Sequence, residues 1–100
     1  MVHINERGET VFRVYLPSAG RVRVVGDFTG WLAQPIEMTP RGDGWWTLTR
    51  ALPPGEHAFL YQTDHGWHTD YAAFGVEMDD HGKWISRVLV PDQAAPRRAA

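Results

Sequence analysis

"WWTLTRALPPGEHAFLYQT", residues 45–63, reads as two strands and the break between them. In its first half, alternation places Trp46, Leu48 and Leu52 on one face and Trp45, Thr47 and Thr49 on the other. Pro53, Pro54 and Gly55 end that run, because proline has no N–H for a ladder and glycine accepts a positive φ. The second half resumes the pattern, with Phe59, Tyr61 and Thr63 opposing Leu60 and Gln62. A helix has no use for this period of two.

Working outward, the same grammar recurs. "TVFRVYL" (10–16) sets Phe12, Val14 and Leu16 against Arg13 and Tyr15, and "PSAG" turns the chain. "RVRVVGDF" (21–28) sends Val22, Val24 and Phe28 inward and Arg21 and Arg23 outward. Ile36 and Met38 share a short segment that Pro35 and Pro40 confine to a sheet edge. "RGDG" (41–44) is a hairpin-type turn, "DHG" (64–66) leads into "WHTDY" (67–71), and "KWISRVLV" (83–90) is the closing strand. "AAFGVEMDDHG" (72–82) has no clear period and reads as a long loop. Seven or eight short strands with turns about every 8–12 residues predict an all-β antiparallel sandwich, each sheet having one dry and one wet face. The expected division is an N-terminal extension over 1–9, the sandwich over 10–90 and a loose tail over 91–100.

Composition narrows the function. One hundred residues suffice for a single core. There is no cysteine, which removes thiolate zinc sites and thiol catalysis and suits the reducing cytoplasm, the expected location. No run of 18 apolar residues occurs, so no membrane-spanning helix and no membrane partner is expected. A net charge of −2 with interleaved signs gives no footprint for nucleic acid. Asp64, His65, His68, Asp70, Asp79, Asp80 and His81 crowd one region. His65 and His68, three apart on a strand, face opposite ways, and these groups are read as solvated turn residues. No G-x-S-x-G elbow surrounds a serine and no phosphate-cradling loop is present. The chain is therefore expected to be neither an enzyme nor a cofactor or metal carrier.

Five tryptophans are the informative excess. Trp46 and Trp84 are in phase with apolar neighbours and are expected in the core. Trp45 faces the other way, as a partly covered surface residue or part of a patch. Trp31 and Trp67 each follow a glycine-containing turn, where alternation no longer buries them. An exposed indole offers a negative π face to the C–H face of a sugar ring, with polar neighbours needed to fix the hydroxyls. The same pair of indoles also suits a hydrophobic segment of a partner protein.

"VRVVGDFTGW", "DGWWTLTRALPPGEHAFLYQTDHGW" and "WISRVLV" resemble, in order and spacing, the glycogen-binding domain of the AMP-activated protein kinase β subunit and the N-terminal domains of isoamylases and branching enzymes. The resemblance runs from about Thr10 to Val90. It implies an early-set, immunoglobulin-like sandwich, non-catalytic in itself, whose binding members hold α-1,4-glucan such as glycogen, maltooligosaccharide or cyclodextrin. The two exposed tryptophans of those members fall on Trp31 and Trp67. The family's sugar-binding lysine falls on Leu60 and its asparagine on Ile85, neither able to bond a hydroxyl. Its small hydroxyl residue falls on Lys83, whose ammonium is the candidate replacement. An alternative follows from these departures, in which Trp31, Leu60, Trp67 and Ile85 form an apolar patch for a protein partner or an amylolytic catalytic domain.

Overall fold

The computed structural model describes residues 1–71 and 73–92. Most of the expected tail, 93–100, and Ala72 of the expected loop lie outside the described residues. The strands are β1 (Val2–Ile4), β2 (Thr10–Tyr15), β3 (Val22–Gly26), β4 (Ile36–Glu37), β5 (Thr39–Pro40), β6 (Trp45–Arg50), β7 (Gly55–Thr63), β8 (Gly66–His68), β9 (Val76–Met78) and β10 (Trp84–Val90). Two single-turn 3-10 segments, Asp27–Thr29 and Trp31–Ala33, connect β3 to β4.

The strands form two antiparallel sheets, the sandwich that alternation predicts. One has the order β1-β2-β6-β5. The other has the order β4-β3-β7-β10-β9, with β8 also paired to β7. The chain changes sheets over one residue, buried Met38, which separates β4 in the larger sheet from β5 in the smaller. Both short strands lie at edges, where Pro40 removes no needed ladder bond.

Between the sheets, Phe12 meets Phe59 edge-on at 5.1 Å, and Phe59 meets Tyr61 at 5.5 Å. Val22, Val24, Val88 and Val90 complete this layer. Trp46 joins it as expected, and its Nε1–H donates to the Leu16 carbonyl at 3.1 Å. The indole thereby buries its ring without stranding its polar atom.

Within the expected N-terminal extension, residues 2–4 form strand β1, with Val2 opposite Phe12 in β2. Four expectations need correction. The stretch read as a loop contains β9, whose Glu77 pairs with Ile85; only three residues pair, too few for a period to show. Trp84 is not core: it is 44% exposed. It shares parity with Val88 and Val90 but lies beyond Ser86↔Phe59, where β10 and β7 stop pairing, and stands opposite Met78 of the edge strand. The larger sheet has no wholly wet face, since Val24 and Val25 are both buried, as are Phe59, Leu60 and Tyr61 in succession. Finally, Asp70 is no solvated turn residue. It is buried, accepting from the Tyr61 hydroxyl at 2.6 Å, while its own N–H donates to Ser86 Oγ at 2.6 Å. Burial, and then the nearby Asp70 charge, push the Tyr61 phenol well above its usual pKa.

Candidate functional site

Trp31 owes its place to the way β3 ends. Gly26 closes the strand against β7 so tightly that a Cβ there would lie 2.5 Å from the Ala58 carbonyl oxygen. The Thr29 hydroxyl then accepts from the Gly26 N–H at 3.0 Å and lies 2.7 Å from the Trp31 carbonyl oxygen, fastening both ends of the turn. Asp27 ties the same turn to β7, accepting from the Ala58 N–H at 3.0 Å and facing His57 Nδ1 at 3.3 Å. Gly30 is left-handed with φ +66°, and Trp31 follows with φ +57°. Trp31 is the one non-glycine among the described residues with positive φ. A left-handed side-chain-bearing residue costs roughly 1–2 kcal/mol. The indole held this way is 38% exposed.

Trp67 stands on a different device. Thr63 and Gly66 pair across a two-residue turn, Asp64-His65, which sets Gln62 opposite Trp67. The turn is anchored to the 17–20 segment: both Asp64 carboxylate oxygens accept from the Gly20 N–H at 3.1 Å, and His65 Nε2 lies 3.1 Å from the Ser18 carbonyl. The Gly20 bond is the main reason the Asp64 carboxyl titrates below its ordinary range. Trp67 is 40% exposed.

Lys83 comes to the same place from the turn that leads into β10. The tight turn over 79–83 is closed by the Asp79 carboxylate, which accepts from the backbone N–H of Lys83 and of His81, each at 2.9 Å. Those bonds, the Lys83 bond foremost, lower the Asp79 pKa. The Lys83 ammonium then rests 5.0 Å from the centroid of the Trp67 ring.

Leu60 and Ile85 are placed otherwise than the patch reading expects. They are 4% and 7% exposed. Leu60 pairs with buried Val25, and the 3-10 segments after β3 fold back onto β3 and β7. Both therefore form a dry floor and contribute almost no surface. The structure brings Lys83 to Trp67 but shows no ring contact between Trp31 and Trp67 among the described residues. Trp31 lies on the segment after β3 and Trp67 on β8, which pairs with β7.

Two polar groups beside Trp67 escape a reading by family position. Gln62 is its cross-strand partner, and Arg23, opposite Gln62, donates to the Gln62 side-chain oxygen. The signal was present in the two-residue turn, which fixes the Gln62–Trp67 register. The remaining acids and histidines of 64–81 do not converge: among the described residues no three His, Cys, Asp or Glu side chains form a metal-holding group.

Known proteins agree with this architecture. The family model described as carbohydrate-binding module 48, the isoamylase N-terminal domain, matches residues 2–88. A 1,4-alpha-glucan branching enzyme GlgB of Bradyrhizobium sp. (strain ORS 278) is 40% identical over 92 residues, covering 86% of this chain and 12% of that protein. The enzyme of the same name from Rhodopirellula baltica is 40% identical over 77 residues, covering 67% of this chain and 10% of that protein. The chain thus spans about a tenth of the length of these relatives. The matched module is non-catalytic in kind, although these relatives are enzymes. By its sequence and its sandwich, the chain belongs to the carbohydrate-binding module 48 family.

Proposed function

We propose that this chain is a non-catalytic module that holds α-1,4-linked glucan, such as glycogen or maltooligosaccharide, on Trp31 and Trp67. The observation that carries the reading is the pairing of an outward indole, Trp67, with the Lys83 ammonium. One supplies the π face on which sugar C–H groups stack, the other a donor for hydroxyls beside the ring. Gln62 and Arg23 extend the polar side of the platform. A shallow site of this kind supports a Kd of roughly 0.1–10 mM, about −3 to −5 kcal/mol.

The test is an NMR titration of labelled protein with β-cyclodextrin and with maltoheptaose, following the indole N–H signals. Joint, saturable shifts of Trp31 and Trp67 are expected. Silence of both at about ten times the weakest Kd above removes the reading.

A second reading, an interaction domain packed against an amylolytic catalytic domain, draws on a different surface from Leu60 and Ile85. Trp84 and Met78 face out side by side on β10 and β9, with Tyr71 and Phe74 exposed in the preceding segment. Retained sugar binding in a Trp84→Ser, Met78→Ser variant separates the two surfaces.

A further inference from the structure

The outer face of the four-stranded sheet carries an aromatic and cationic cluster that the glucan platform does not use. Strand alternation turns Arg13 and Tyr15 of β2 outward beside Thr47 and Trp45 of β6, in the register Arg13↔Thr47 and Tyr15↔Trp45. Arg13, Trp45 and Thr47 border, with Arg41 and Thr49, a groove of about 430 Å³. The Arg13 guanidinium lies 4.7 Å from the centroid of the Trp45 ring, and the Tyr15 ring packs at 5.3 Å from the same indole.

The groove gathers two guanidiniums that no ion pair neutralises. Arg21, Arg23 and Arg87 each face a glutamate. Arg13 and Arg41, like Arg7 and Arg50 elsewhere on the surface, have no carboxylate ion-pair partner among the described residues. The one acid on the groove, Asp43, has its Oδ1 accepting from the Trp45 N–H at 3.2 Å. A guanidinium laid on an indole keeps its N–H fork in plane and preorganised, the geometry that suits an oxyanion better than a neutral ring. Threonine hydroxyls nearby are suited to sugar hydroxyls.

We infer that this groove is a second ligand site, for a phosphate ester carried on a glucan chain. Arg13 and Arg41 take the phosphate, and Thr47 and Thr49 bond the adjoining sugar. The glucan part of the ligand rests on the function proposed above; the anionic part rests on the two unneutralised guanidiniums. Because the groove lies on the smaller sheet and Trp67 on the larger, the two sites do not share residues.

One titration reads both sites apart. Labelled full chain is titrated at low salt with maltoheptaose, with maltoheptaose bearing a 6-phosphate, and with a short polyglutamate peptide, following all indole N–H and arginine Nε–H signals. The phosphorylated sugar is expected to move Trp45 and Arg13 and to bind about fivefold tighter than the neutral one. That gain is expected to vanish in Arg13→Gln, Arg41→Gln and to shrink in Arg41→Gln alone, an exposed turn position where folding is not at stake. Equal affinity for the two sugars overturns the inference, as does a gain that survives the double variant. A Trp45 response to polyglutamate matching that to the phosphorylated sugar also overturns it, in favour of an acidic protein segment. Trp31 and Trp67 report the glucan platform separately, so silence there with a Trp45 response to the phosphorylated sugar removes the platform reading and keeps the anionic part of this one.

Discussion

The Lys83 ammonium sits 5.0 Å above the Trp67 indole, joining a turn before the last strand to a hairpin 16 positions earlier in the chain. Such a cation–π contact at an exposed site contributes about 0.5–1 kcal/mol. It also fixes where the ammonium can meet a ligand. Lys83→Met is therefore expected to weaken maltoheptaose binding by roughly two- to fivefold. The Trp67 indole N–H signal should move in the same variant without sugar. Calorimetry and the free-protein spectrum check the two halves; an unchanged Kd sets Lys83 outside the site.

Trp31 permits a test in which stability and binding part company. Its left-handed backbone suits glycine far better than any residue with a Cβ. Trp31→Gly relieves that strain, whereas Trp31→Ala keeps it. The glycine variant is expected to be at least as stable as the alanine variant, by up to about 1 kcal/mol, with both losing sugar binding alike. Thermal unfolding of the pair measures the difference, and a less stable glycine variant contradicts the strain.

The buried Tyr61–Asp70 bond is a second handle. Tyr61→Phe removes the hydroxyl at 2.6 Å and strips the buried carboxylate of one donor. The loss is expected to be about 1–3 kcal/mol in urea unfolding. Sugar binding by the folded variant is expected to be unchanged, because the hydroxyl points away from the platform into the core.

The acid limb of stability follows from Asp64 and Asp79. Each carboxylate accepts backbone N–H bonds, from Gly20 and from Lys83 respectively, so each folded pKa lies below its unfolded value. A depressed carboxyl pKa stabilises the fold fully above the unfolded value, near 3.9 for aspartate, and that contribution disappears as pH falls through the lower folded value. The Asp79 turn that carries Lys83 is thus intact at neutral pH and loosens only in acid below about pH 4. Carboxyl ¹³C titration should place both inflections below about 3.9. An inflection above that value at either residue denies the backbone bonds.

Much of this protein was legible in order along the chain. Alternation in 10–16, 21–28 and 45–63 sets which side chains share a face, and Pro/Gly breaks set where strands stop. That was enough for a two-sheet sandwich, for Trp46 inside, and for Trp31 and Trp67 outside at the ends of glycine turns. What alternation does not encode is what covers a face. Leu60 and Ile85 look exposed by parity, yet both are buried, and the segment after β3 folds back onto β3 and β7. Trp84 looks buried by parity, yet at that end of β10 the edge of β7 is taken by β8. Asp70 looks like a turn acid, yet Tyr61 and Ser86, from two other strands, draw it into the core. The Lys83–Trp67 contact has the same origin, because only the antiparallel neighbours β7, β8 and β10 bring residues 67 and 83 together. Side-chain direction is a local property of a strand with a two-residue period, whereas burial and contact depend on which distant strand packs above it.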